Sequence, residues 1–148
     1  MFRSIQQARI LSCVGTVFMM AGCSGMEPAP SGKSLYDRLG GRPVITGVTD
    51  QFVANVVNDT RINVRFATTD IQKMKGQLVD QVCMVTGGPC KYTGREMKPL
   101  HAGMKITDGD FGAFVRDLVA ALDQFKVPAH AKNELLGLLG RMKKDIVE

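Results

Sequence analysis

Residues 107–126 constrain this chain more than any other stretch. Phe111, Phe114, Val115, Leu118, Val119, Leu122 and Phe125 recur at spacings of three and four. That spacing lines them along one face of an α-helix. Thr107 stands where the first free amides need a cap, and Asp110 follows three residues later as in a capping box. Ile106 and Phe111 occupy the two positions of a hydrophobic staple.

The same period recurs on both sides. Val127-Pro128 stops the first helix, and Pro128 suits the first turn of the next. There Ala131, Leu135, Leu138, Leu139, Met142 and Ile146 form the stripe. Upstream, Pro43 suits a helix start after Gly40-Gly41. Val44, Val48, Phe52, Val56 and Val57 form its buried face, and Asn58-Asp59 its end. So many β-branched residues make the intrinsic propensity weak, so burial must hold this helix. A further helix begins near Thr69 or Asp70, with Ile71, Met74, Leu78, Val79, Val82 and Val85 as its stripe. Gly87-Gly88-Pro89 terminates it. No segment reads as a strand. Residues 86–100 read as a loop with one helical turn, and a loop that long in a compact domain is often functional. The expected fold is all-α, with four substantial helices, two short pieces and one long loop.

Residues 1–22 stand apart. Arg3 and Arg9 make a basic head, and Ile10 to Met20 is an apolar run broken only by Ser12, Gly15 and Thr16. The run is well short of the ~20 apolar residues of a spanning helix. With Met20-Ala21-Gly22-Cys23 behind it, it reads as an export signal. Small residues before a Cys resemble the lipobox of bacterial lipoproteins, with Met20 where Leu is commonest. That resemblance implies cleavage before Cys23 and lipid on its thiol. Ser24 after the Cys implies the outer membrane, on the periplasmic side of the cell envelope. An ordinary cleaved signal or an uncleaved anchor is the alternative. Residues 23–33, rich in Pro, Gly and Ser, then form a flexible tether to a domain over 34–148. Losing Arg3 and Arg9 lowers the net charge from +5 to +3. No long basic run remains, which gives nucleic-acid binding little support.

The chain has only two histidines, His101 and His130. His101 ends the long loop among apolar neighbours, Leu100 and Met104. A buried imidazole needs a partner for each nitrogen. Iron on one and a backbone carbonyl on the other would meet that need. By its local sequence alone, His101 reads more readily as an ordinary surface or core histidine. Cys83 and Cys90 could bridge outside the cytoplasm, stabilising by roughly 2.5 kcal/mol in the chain-entropy model. Two unpaired thiols are the alternative. Zinc is disfavoured, because two Cys without nearby His do not complete a tetrahedron.

Leu35-Tyr36-Asp37-Arg38-Leu39-Gly40-Gly41, then Gly87-Gly88-Pro89, Tyr92-Thr93-Gly94, Met97 and His101-Ala102-Gly103 follow one another along the chain. In order and spacing this series resembles group I truncated haemoglobins over nearly all of residues 34–148. The resemblance implies a two-over-two helical sandwich around non-covalent haem b. No Cys-x-x-Cys-His occurs, so covalent attachment is not implied. By position His101 becomes the proximal iron ligand, and Phe66 packs on the haem face. Tyr92, Met97 and Leu100 line the loop side. Phe52 and Val53 form part of the distal side, with Met74, Gln77, Leu78, Gln81 and Val82 from the next helix. Each of these except His101 fits plain core packing as well.

The chain also departs from that family. Oxygen-avid members often carry Tyr at the place of Val53 and Gln at the place of Leu78. Those donors stabilise a polar diatomic ligand by about 1–3 kcal/mol per charge-assisted bond. Only Gln77 and Gln81 are polar candidates here. The first reading is a reversible binder of oxygen or nitric oxide. A nitric oxide dioxygenase or peroxidase-like enzyme is the second, and it needs an electron donor that the sequence does not name. A haem-free globin-like interaction module is the third.

Overall fold

The structure is a computed structural model and describes residues 32–148. Cys23 and the export segment lie outside the described residues. Among the described residues six α-helices run in order: α1 (Leu35–Arg38), α2 (Gly41–Asn58), α3 (Ile71–Val85), α4 (Met97–His101), α5 (Asp108–Gln124) and α6 (Ala129–Gly140). Short 3₁₀ turns cover Asn63–Phe66 and Lys143–Asp145. There is no strand among the described residues.

Side-chain caps set where the helices start. Thr107 accepts from the Asp110 amide at 3.2 Å, and Asp110 accepts from the Thr107 amide at 2.9 Å, so the expected capping box forms. Asp70 caps α3 through the Lys73 amide at 3.0 Å. A second box, Ser34 with Asp37, opens α1; the sequence reading passed over it. Helix α2 has no side-chain cap. Gly40 and Gly41 take left-handed φ values of 96° and 68°, which only glycine adopts without strain, and they turn the chain sharply between α1 and α2. The Tyr36 hydroxyl then accepts from the Arg42 amide at 2.9 Å, doing the work of a cap.

Helix α2 is the spine of the domain, packed against both α3 and α5. Its buried face is Ile45, Val48, Thr49, Phe52, Val53 and Val56. The expected stripe was rotated slightly from this: Val44 is half-buried and Val57 is exposed. Phe52 meets Phe114 of α5 edge to face, with ring centroids 4.6 Å apart. Such a pair adds about 0.5–1.5 kcal/mol beyond the area it buries. Phe125, assigned by its spacing to the stripe of α5, instead caps that helix half in solvent. Its ring rests where a side chain on Gly47 would otherwise stand, 2.5 Å from the ideal Cβ.

Helix α6 is shorter than its apolar pattern. It starts after Pro128 and ends at Gly140. Gly137 and Gly140 lower its propensity near that end. Met142 and Ile146 therefore lie in the irregular segment beyond it, half-buried. Arg38 fastens α1 to α6 through Glu134 at 2.6 Å. No helix among the described residues is long and apolar enough to cross a membrane.

Candidate functional site

His101 is the last residue of α4, which is five residues long and buries none of them. A helix this short does not hold itself together in water. The imidazole is half-buried, and its Nδ1 lies 2.8 Å from the Met97 carbonyl oxygen one turn earlier. A carbonyl only accepts, so Nδ1 is the donor here, and in a neutral ring the lone pair then sits on Nε2. A backbone partner on one nitrogen that orients the other is the usual arrangement of a metal-ligating histidine. His130 is exposed on α6.

No cluster of three or more His, Cys, Asp or Glu that could hold a bare ion occurs among the described residues. One histidine holds iron when another group supplies the remaining donors, as a porphyrin does. A porphyrin also needs apolar surface that the fold leaves partly uncovered. Phe66, Met74, Leu78, Val82, Met97 and Leu100 are apolar yet only half-buried, and they come from the 3₁₀ turn, α3 and α4. The residues present therefore fit the group.

Tyr92, Met97 and Gln81 come together on one cleft of about 380 Å³, with Glu96, Lys98, Met142 and Asp145. Met142 reaches it only because α6 breaks before it, and no local signal announced that role. Tyr92 donates to the Arg95 carbonyl at 2.8 Å, and burial pushes its phenol above the usual range. Gly94 lies beneath that phenol, so the Tyr92 side chain folds back over its own loop.

Three of the expected distal residues are buried. Gln81 is only 8% exposed, and its Nε2 lies 3.6 Å from the Met97 sulfur and 3.7 Å from the Met142 sulfur. Thioethers are weak acceptors. The amide donor thus faces the sulfurs of Met97 in α4 and of Met142 beyond α6. Phe52 and Val53, expected on the distal side, are 3% and 2% exposed and lie within the buried cluster that α2 forms with its neighbours. Gln77 stays half-buried on α3.

Cys83 and Cys90 are joined in a disulfide, with Cα atoms 5.7 Å apart. Cys83 is fully buried in α3, and the bridge ties the start of the long loop to that helix. The Tyr36 ring, Gly88 and the Cys83 sulfur crowd together here: a Cβ on Gly88 would lie 2.5 Å from the ring and 2.7 Å from the sulfur. The same tyrosine touches Gly41, so it bolts the two glycine pairs together.

Residues 34–148 match the family described as bacterial-like globin. The chain belongs to that family. It is similar to a group 1 truncated hemoglobin of Mycolicibacterium paratuberculosis, with 34% identity over 81% of this chain and 85% of the relative. A second relative, from Nostoc sp., is 32% identical over 77% of this chain and 97% of its own length. Among solved structures, the truncated hemoglobin of Tetrahymena pyriformis in its Fe(III) form superposes with a TM-score of 0.75. It is 29% identical, with 78% of this chain and 98% of that one covered. A 2/2 hemoglobin of Synechococcus sp. with covalently attached heme gives 0.73 at 28% identity, with 78% of this chain and 98% of that one covered. The protein is thus a group 1 truncated globin with the two-over-two helical fold, and its kinship supports a haem-binding globin.

Proposed function

We propose that this globin holds one non-covalent haem b on His101 and binds a diatomic gas reversibly in the cell envelope. The observation that carries the reading is His101, with Nδ1 engaged by the Met97 carbonyl and the Nε2 lone pair left free to ligate iron. When bound, haem supplies an iron centre with a position open to a small ligand. The chain supplies everything else. Phe66, Met74, Leu78 and Leu100 shield the group from water. Val53 and Leu78 offer no hydrogen-bond donor, and the Gln81 amide is turned to thioethers. Oxygen, which gains from such donors, is held loosely by this arrangement. Nitric oxide depends on them less and suits the site better.

The absence of Cys-x-x-Cys-His from the sequence supports non-covalent attachment. The Cys23 segment supports a lipid anchor, and the Cys83–Cys90 bridge agrees with an oxidising compartment. Native protein analysed by mass spectrometry should begin at a diacylglyceryl-modified Cys23; an unlipidated start elsewhere removes the anchor. An enzymatic reading, such as a nitric oxide dioxygenase, is less well served. It needs an electron donor, and neither Val53 nor Leu78 is an acid or base.

Purified protein given haemin should show a Soret band that His101→Ala abolishes and His130→Ala leaves intact. A Soret band that survives His101→Ala and disappears with His130→Ala would overturn the assignment.

A further inference from the structure

Nothing in α4 is buried, so something outside it must fix where His101 stands. Upstream, the disulfide ends at Cys90, and several residues of loop separate it from Met97. Downstream, α4 leads directly into an exposed turn, residues 102–105, before Ile106 and α5. Gly103 and Lys105 both take left-handed φ values, 79° and 51°. Lysine adopts that conformation only where its surroundings enforce it.

Two charged side chains grip this turn. The Glu148 carboxylate accepts from the Gly103 amide at 2.7 Å and from the Lys105 amide at 2.8 Å. The Glu148 amide donates to the Ile106 carbonyl at 3.0 Å. Arg65, from the 3₁₀ turn before α3, donates to the Met104 carbonyl at 2.6 Å and to the Lys105 carbonyl at 3.2 Å. The same guanidinium pairs with Asp110 at 2.7 Å, inside the capping box of α5. Amides are held on one side and carbonyls on the other. The turn is thus fastened at once to the 3₁₀ turn, to α5 and to the segment beyond α6. The Gly103 and Lys105 amides hold the Glu148 carboxyl below the usual carboxylate range.

We infer that Arg65 and Glu148 are positioning residues for His101: by clamping residues 103–106 they fix the C-terminal end of α4 and the imidazole it carries. The inference rests on the reading of His101 as the iron ligand, and it gives that ligand its support. Clamping here sets the height and tilt of the imidazole, while the Met97 carbonyl sets its rotation. Neither side chain touches the cleft described above, so their effect on the site is indirect.

The test uses the full-length chain and the variants Glu148→Gln and Arg65→Lys, haem-free and haem-loaded. In the haem-free protein, amide exchange at Leu100, His101 and Ala102 should quicken by about threefold or more, with α2 and α5 beyond its first turn unchanged. The His101 ring signals should move. In the ferrous haem-loaded protein the iron–histidine stretching band should shift. Haem transfer to excess apomyoglobin should quicken by about threefold. A purely structural tie would lower the unfolding midpoint and leave the iron–histidine band in place. If only the Gly103 and Lys105 amides respond, and Leu100, His101 and the ring signals stay as in the wild type, the clamp does not position His101. A chain whose α4 responds as described but never gains a Soret band keeps the clamp and overturns the haem reading.

Discussion

Between α2 and α5, Phe52 and Phe114 meet edge to face within a continuous buried cluster, whereas α4 buries no residue at all. The first region is held by packing. The second is held by a disulfide at one flank, a polar clamp at the other and a tyrosine turn between. A region that must admit a flat prosthetic group cannot also close on itself. Its apolar side chains stay half-covered, and cross-links and hydrogen bonds replace the missing burial. Local opening should therefore begin around α4, with the α2–α5 core opening last.

The strongest blow to this contrast is Phe52→Ala. It empties a core position and removes the aromatic pair, and should cost about 3–5 kcal/mol in urea unfolding. The loss should be global, lowering amide protection in α2, α3 and α5 together. A loss confined to the neighbourhood of α4 would mean that Phe52 serves the cleft and not the core.

Reducing the Cys83–Cys90 bridge comes next, at about 2.5 kcal/mol for so short a loop in the chain-entropy model. Here the contrast predicts a local response. Hydrogen exchange should rise across residues 87–101 while α2 and α5 keep their protection. Uniform loosening would show that the bridge, through buried Cys83, braces the core instead.

Val53→Tyr finds the border between the two regions and has the smallest effect. A phenol reaching the ligand would add one hydrogen bond, ~1.4 kcal/mol, and slow oxygen release about tenfold, with carbon monoxide as a control that changes less. Val53 is almost wholly buried, so the larger ring must also find room, and overpacking costs about 1–3 kcal/mol of stability. Stopped-flow release that is unchanged for oxygen would place Val53 in the core, behind the cleft wall. Slow release from the wild type would mean that Gln77 or another donor already holds the ligand.

Local order was legible where the sequence signal is local. Caps such as Thr107 with Asp110, and Asp70, act over three residues, so helix starts could be read directly. Apolar spacing gave the helices, though not their rotation to within one residue, which is why Val57 was placed inside and Ile45 left out. His101 could be singled out only through the series of glycine pairs and its matching position, since an isolated histidine says little.

The sequence by itself determined four long helices, most of their starts, two cysteines seven positions apart, and one histidine at the end of a long loop. It did so because periodicity, capping and short loops depend on neighbours in the chain. Only the tertiary structure decided where Gln81 points, that Met142 lines the cleft, and that Tyr36 bolts Gly41 to Gly88. Only it brought Arg65 and Glu148 to the turn after His101, across sequence separations of 39 and 45 residues. Contacts over such separations depend on how whole helices lie against one another. No spacing rule along the chain encodes that.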